Sequence, residues 1–321
     1  MAEKPKASSR EVACDFFRVE TGVSGRHDLL SIINNIYATK TAASERNVAI
    51  EDGVLRLYDW QEQNGEAGGA LLRLRTGASA SIGHVDSDEL RDITLRAGEA
   101  LAEYFCFSYF SEFQVLVVHR NRYAGSHQRL EYYLQRMHRH RPIVFKPIMT
   151  TDALRRLDRM GGITVANVTL AMPVGDQLYD TGNQSVNELT SLGKRTGAVT
   201  LSLKLSVDHS RGILSEDVKN LWQHMVERFS RRDGEAAQDT AAVPSSADAP
   251  TVEAATLHGY QGRDSDELIT IDLIADRMAE RVRIKIEGKS ASLAELQGAT
   301  SQAYENRYEE LRDQFETNHG A

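Results

Sequence analysis

Residues 103–119, EYFCFSYFSEFQVLVVH, are the stretch that decides the fold, because they hold the densest run of aromatic side chains in the chain. Six of the 9 Phe and 11 Tyr residues lie between Tyr104 and Phe113. Aromatic side chains on both faces of an extended segment are typical of a strand covered on both sides. The alternative is a platform on which nucleic-acid bases stack. No basic residue separates these aromatics, which favours a core strand followed by a second strand over Gln114–His119.

Strands and helices are predicted on both sides of this segment from the periodicity of apolar residues. Strands are predicted over residues 11–20, 54–60, 70–76, 143–149, 163–172, 198–207, 268–274 and 281–286. Helices are predicted after Asp28, over about 126–139, over 154–160, from Ser215 and after Ser292, where Ser292 and Glu295 match a capping box. Strands in adjacent pairs with interspersed helices indicate an α+β fold with mainly antiparallel sheets, packed helices and one long C-terminal helix.

Composition shifts divide the chain into four parts. Residues 1–10 are expected to be a disordered leader, and 11–231 an α+β domain for which a division into two subdomains near 140–160 stays open. Residues 232–256 are rich in Ala, Asp, Ser and Pro, which predicts a flexible insertion. Residues 257–321 are expected to add strands and the C-terminal helix to the main domain.

The composition of the 321 residues is that of a globular protein, with 41% hydrophobic and 26% charged residues. Cys14 and Cys106 are too few for a disulfide framework or a thiolate metal site and fit a reducing compartment. No uncharged apolar run reaches about 18 residues, which excludes an ordinary transmembrane helix. We therefore expect a cytoplasmic protein whose membrane role, if any, passes through a partner.

Positive charge is concentrated in one segment of an acidic chain. Ten basic residues between His119 and Met160 are opposed by three acidic ones, a net charge of +7, whereas the whole chain carries −8. Four histidines of this segment are expected to add charge at lower pH: His119, His127, His138 and His140. Such segregation is typical of a surface that binds polyanions.

Arginine is well suited to phosphate because its planar guanidinium bridges two oxygens. Arg129, Arg136 and Arg139 are predicted to lie on one stripe of a helix, beside the apolar face. The residues predicted to contact DNA are Arg120, Arg122, Arg129, Arg136, Arg139, Arg141, Lys146, Arg155 and Arg156. The alternative is a solvated charged face, the usual fate of arginine on helices.

Catalytic and metal-binding signatures are weak. Carboxylates crowd between residues 264 and 276, which keeps a metal-dependent nuclease open as an alternative. These carboxylates are Asp264, Asp266, Glu267, Asp272 and Asp276. Loops or solvated strand edges explain them better, so no catalytic residue, metal or cofactor is predicted.

The apolar face of the C-terminal helix has two interpretations. Tyr304, Tyr308, Leu311 and Phe315 fall on this face, and they either cover the sheet of their own chain or form the interface of a homodimer. The sequence leaves both open.

The order of these elements resembles that of the RexA-like phage-exclusion proteins of prophages, with a distant likeness to the recombination-associated RdgC proteins. The likeness covers most of residues 12–315 and rests on local patterns such as RHDLLSIINNIYA, LRLYDWQEQNG, SEFQVLVVHRN, RPIVFKPIMTTDALRRL, GITVANVTLAMP, GAVTLSLKLSVD and YENRYEELRDQF. The resemblance implies a cytoplasmic, dimeric sensor that binds DNA and acts with a separately encoded membrane protein. No residue role is carried over from it.

Together these patterns predict a non-enzymatic protein that binds double-stranded DNA with little sequence preference. Its expected setting is a prophage exclusion or antiphage defence system, as a homodimer with a membrane protein partner. A nuclease effector and an interaction protein that binds no nucleic acid are the alternatives.

Overall fold

The computed structural model describes most of the chain outside the predicted insertion. The described residues are 8–21, 29–50, 53–63, 65–75, 81–83, 87–121, 123–125, 127–138, 143–171, 184–196, 198, 200–207, 251–261, 268–272, 274–286 and 290–316. The helix predicted from Ser215 lies outside them, as do residues 1–7 and 208–250.

Fourteen strands are found in the described residues. They are β1 (Ser8–Thr21), β2 (Val48–Ile50), β3 (Gly53–Gln63), β4 (Glu66–Arg75), β5 (Ser81–Gly83), β6 (Leu90–Asp92), β7 (Leu101–Phe110), β8 (Val115–His119), β9 (Ile143–Pro147), β10 (Met160–Ala171), β11 (Thr200–Ser206), β12 (Thr251–Gln261), β13 (Leu268–Asp272) and β14 (Ala279–Ile286). Five α-helices accompany them in the same residues: α1 (Leu29–Thr39), α2 (His127–Met137), α3 (Thr151–Arg159), α4 (Gln184–Thr196) and α5 (Leu293–Glu316). The predicted α+β class with antiparallel sheets and a long C-terminal helix is confirmed.

The main sheet has eight strands and is built around the aromatic segment. Its order is β14-β1-β8-β7-β4-β3-β2, and β9 pairs with the second half of β1. Phe105–Phe110 are buried on both faces of the sheet, as the sequence predicted. The predicted strands 54–60 and 70–76 fall in β3 and β4, which pair as a hairpin across Gly65, whose φ of +82° favours glycine.

One face of the main sheet is covered by α1 and α2. The helices contribute Ile33 and Ile36 from α1 and Leu130, Tyr133 and Leu134 from α2 to a buried cluster with the sheet. These residues recur at helical spacing, so each helix buries one side against the sheet and exposes the opposite side.

The opposite face of the main sheet is covered by α5. Its capping box is formed as predicted, with the Ser292 amide donating to Glu295 (2.6 Å) and the Glu295 amide donating to the Ser292 hydroxyl (3.2 Å). The Tyr304 ring stacks on Phe110 with 3.6 Å between centroids, and Leu311 is fully buried. The C-terminal apolar face therefore covers its own sheet, as the first of its two interpretations predicts, while Tyr308 and Phe315 remain partly buried.

A second, four-stranded sheet has the order β11-β10-β12-β13. Leu157 of α3 and Leu189 of α4 pack on one of its faces against a core that includes Val168 and Leu257.

Two segment boundaries that were predicted from the composition differ from the structure. β1 begins at Ser8 within the expected leader, and β12 begins at Thr251 within the predicted insertion, where Thr251 and Val252 are β-branched.

No helix among the described residues is long and apolar enough to span a membrane.

Candidate nucleic-acid interface

Three of the predicted DNA-contacting residues form ion pairs with carboxylates that are distant in the sequence. Arg120 binds Asp15 through two hydrogen bonds of 2.7 and 3.1 Å, and the Lys146 ammonium lies 3.0 Å from Glu20. Arg156 donates to Asp276 at 2.7 Å and to the Thr270 carbonyl at 3.0 Å. The hydrogen bond with Asp276 raises the pKa of Arg156, which stays charged and engaged within the fold.

Arg129 is the clearest departure from the predicted phosphate-binding stripe. Its side chain is only 8% exposed, and its guanidinium donates to the Ala124 carbonyl at 2.9 Å. Gly125 has a φ of +100°, and a Cβ added there would lie 2.3 Å from the Arg129 Cδ. Arg129 therefore packs onto the turn that precedes α2, and its assignment to a solvent-facing stripe was wrong.

Two of the other predicted contacts are exposed, on two different helices. Arg136 is exposed on α2 and lies over the Tyr132 ring, with 5.5 Å to its centroid. Arg155 is exposed on α3. Arg122, Arg139 and Arg141 lie outside the described residues or side chains.

Two histidines of the basic segment do not add charge in mild acid. Burial lowers the pKa of His119 to about 4, with a further contribution from Arg10. Burial and the nearby Arg277 lower the pKa of His127 to about 3, although Asp15 opposes the shift. The His127 ring packs on Phe17 with 4.1 Å between centroids. Both rings therefore remain neutral where free histidine would be protonated.

The carboxylates considered for a nuclease have structural partners where they are described. Asp272 accepts hydrogen bonds from the Ile274 and Ala275 amides, and Asp276 binds Arg156. Asp264, Asp266 and Glu267 lie outside the described residues. Within the described part of the chain, no three His, Cys, Asp or Glu side chains are grouped to hold a metal ion.

A row of exposed cations lies on β14, at the edge of the main sheet. Arg281 and Arg283 are 78% and 74% exposed, and Lys285 is exposed on the same face. Val282, Ile284 and Ile286 alternate with them and are buried under α5. The period of two in the sequence RVRIKI thus separates three cations from three apolar residues.

The register of β1 with β14 shows which groups surround these cations. Ser9, Glu11 and Ala13 lie opposite Lys285, Arg283 and Arg281. The Glu11 carboxylate lies 3.4 Å from Arg283 and 3.8 Å from Arg281, so it joins both guanidiniums.

The ion pair of Arg120 with Asp15 lies on the same face, because Asp15 is opposite Val118, which packs under α1 and α2. We call this surface the β14 face. It comprises Ser9, Glu11, Ala13, Asp15, Arg120, Arg281, Arg283 and Lys285. Four cations against two carboxylates leave it a net charge of +2.

Sequence reasoning predicted β14 as a strand but missed its cations. Three cations in a short segment change the net charge of a wide sequence window only slightly, so a search for charge clusters along the sequence does not detect them. The usable signal was their alternation with apolar residues, which places all three on one face.

Comparison with known families gives one result. A family model described as a family of unknown function, DUF6731, matches residues 7–309. The chain belongs to this family, and the match spans all three sheets of the described residues and most of α5. No curated protein matches the sequence.

Proposed function

We propose that this member of DUF6731 binds double-stranded DNA by contacting backbone phosphates with the β14 face. The observation that carries the proposal is the row of three exposed cations at alternate positions of one edge strand. Arg120, a residue of the predicted basic segment, lies on the same face and adds a fourth cation beside them.

The spacing and chemistry of this row suit a phosphate backbone. A strand rises about 3.3 Å per residue, so Arg281 and Lys285 lie about 13 Å apart along it. Two of the three cations are arginines, which bridge phosphate oxygens with two parallel hydrogen bonds. Contacts to phosphates position a protein on DNA without reading base identity. We therefore infer binding with little sequence preference.

A competing explanation is that these cations protect the sheet edge. Lys and Arg on edge strands hinder pairing with another chain. Like charges of either sign hinder pairing at a sheet edge, whereas phosphate binding requires positive charges. Replacement of all three residues by Glu should keep edge protection and abolish DNA binding.

The test is a titration of a mixed-sequence duplex with the R281Q/R283Q/K285Q variant and the wild type. Three phosphate contacts give a slope of log K against log salt of about −2.7, from roughly 0.9 per contact. The triple variant should lose this slope and bind at least about tenfold more weakly at low salt. The matched control is R159Q/R195Q/K204Q, which removes two exposed arginines and one exposed lysine elsewhere and should retain binding.

Two outcomes contradict the proposal: wild-type protein that leaves the duplex unbound at low salt, or equal losses in both triple variants. Degradation of the duplex when Mg²⁺ is added indicates the nuclease alternative.

The cellular role proposed for this binding is phage exclusion together with a membrane protein partner. It is supported by the resemblance to the RexA-like proteins. The test is phage plating on bacteria that produce the protein with and without the product of the adjacent gene. Protection that requires both proteins and is lost in R281Q/R283Q/K285Q supports the role. Equal plating in all strains contradicts it.

A further inference from the structure

The outer edge of β14 is open along its row of cations. β14 lies at one end of the main sheet and pairs with β1 on one side, and no strand of the described residues lies on its other side. The side chains of Arg281, Arg283 and Lys285 are exposed there. We call residues 281–285 the β14 edge. An open strand edge is a place where a further strand can join the sheet.

A hydrogen bond of β1 shows which backbone groups of β14 point outward. The Arg120 amide donates to the Ala13 carbonyl at 2.8 Å, so Ala13 directs its backbone groups toward β8 and away from β14. In an antiparallel pair, directly opposed residues point these groups either toward each other or away from each other. Arg281 lies opposite Ala13 and therefore points outward. Every second residue does the same, which includes Arg283 and Lys285.

A contact from α5 agrees with this assignment. Arg307 donates to the Ala279 carbonyl at 3.2 Å, and Ala279 precedes Arg281 by two residues, so it points to the same side. The first outward carbonyl of β14 is thus bonded by a side chain of the same protein. Beyond it, the β14 edge offers three amides and three carbonyls to a further strand.

The charges of the β14 edge determine which strand can be added. Residues opposite the three cations in an antiparallel strand would be two apart and on one face. Opposite charges at directly opposed positions stabilise a strand pair, and like charges destabilise it. β1 shows the favourable case on the inner side, where Glu11 lies opposite Arg283 with 3.4 Å between their charged groups.

A second copy of β14 does not match this edge. Two-fold antiparallel pairing opposes residues whose numbers have an even sum, so odd-numbered residues meet odd-numbered residues. Arg281, Arg283 and Lys285 are all odd-numbered, and every register in which two β14 edges overlap places cations opposite one another. The like charges oppose self-pairing and leave the edge available to an acidic strand.

We propose that the β14 edge binds an extended segment of another protein that carries Glu or Asp at alternate positions. The segment joins the main sheet antiparallel to β14, with its backbone bonded to the outward groups and its carboxylates opposite the three cations. The β14 edge spans about 13 Å, so five residues of the partner cover it. The proposal is independent of DNA binding, and its test contains no DNA.

Three capped peptides of equal charge separate strand addition from simple charge attraction. The peptide TETETET places its three glutamates on one face of a strand, whereas TTEEETT contains the same residues and cannot. In calorimetric titrations, TETETET should bind at least about tenfold more tightly than TTEEETT. N-methylation of the three glutamates of TETETET keeps their charge and removes the amides that would donate to β14. This peptide should also bind at least about tenfold more weakly.

Hydrogen exchange followed by NMR locates the bound strand. TETETET should slow exchange of the Arg281, Arg283 and Lys285 amides, because these point outward. The Val282 and Ile284 amides already face β1 and should change little.

The R281Q/R283Q/K285Q variant should lose the preference for TETETET, and the matched control R159Q/R195Q/K204Q should keep it. Equal affinities for TETETET and TTEEETT, or binding of TETETET without slower exchange of the three outward amides, would overturn the proposal.

Discussion

At the residue scale, arginines from one basic segment have three different fates. Arg129 is buried over a turn, Arg120 is held by Asp15, and Arg155 is exposed. Asp15 precedes Arg120 by 105 residues, and Asp276 follows Arg156 by 120. A charge count along the sequence includes none of these distant carboxylates. The chemistry of the candidate interface could therefore be predicted from the sequence, but its location could not.

Arg129 is buried and Arg136 is exposed on the same helix, α2, so the same substitution at both positions measures how burial affects the free energy of unfolding. Arg129→Glu removes the guanidinium and places a carboxylate against the Ala124 carbonyl oxygen. We expect a loss of at least about 3 kcal/mol in the free energy of unfolding, as for an uncompensated buried charge. Arg136→Glu lies in solvent and should change that free energy by less than about 0.5 kcal/mol. Urea unfolding of both variants decides the point, and equal effects would show that Arg129 is not buried.

Glu11 determines how much of the β14 face is available to phosphate. Its carboxylate lies between two guanidiniums and competes with an incoming anion. Glu11→Gln removes the negative charge and keeps the size of the side chain, so DNA affinity should rise about three- to tenfold at low salt. Glu305→Gln on the exposed side of α5 makes the same charge change elsewhere and should have a much smaller effect. An affinity lowered by Glu11→Gln would show that the carboxylate supports binding instead of opposing it.

At the element scale, long periodic segments were predictable and short ones were not. β1, β7, β8, β14 and α5 were predicted because each alternates or recurs over several residues. β2, β5 and β6 span three residues each, too few to establish a period. α4 was missed because its sequence is rich in Ser, Thr and Asn and includes Gly193, all weak helix formers.

The junction of α3 with α5 depends on a carboxylate and is therefore pH-dependent. Glu310 accepts a hydrogen bond from the Thr151 amide at 2.8 Å and one from Arg307 at 2.9 Å. Burial alone would raise the pKa of Glu310, but these hydrogen bonds outweigh it and lower the pKa below its ordinary value. A carboxyl group with a lowered folded-state pKa stabilises the fold above its unfolded-state pKa. That stabilisation is lost as the pH falls through the folded-state pKa.

Glu310→Gln should therefore lower the free energy of unfolding by about 1 kcal/mol at neutral pH. The difference from wild type should shrink as the pH falls, because both side chains are then uncharged. Urea unfolding at neutral pH and at several acidic pH values measures this. A difference that stays constant with pH would mean that the charge of Glu310 contributes nothing to the junction.

At the scale of the whole molecule, the proposed DNA binding would gain from a second copy of the β14 face. A face with a net charge of +2 is expected to bind DNA weakly by itself. The homodimer predicted from the sequence would present two such faces, and the second contact on one duplex would become intramolecular. The sequence left the apolar face of the C-terminal helix open as the dimer interface, and in the structure this face packs on the sheet of its own chain.

The salt dependence of binding tests whether both faces engage one duplex. If each face neutralises three phosphates, a dimer on a long duplex should give a slope of log K against log salt of about −5.4, and a single face about −2.7. A duplex that is too short to reach both faces is the control and should give the shallower slope. Equal slopes on the long and the short duplex would mean that only one face contacts DNA, because an idle second face adds no phosphate contacts and releases no further counterions.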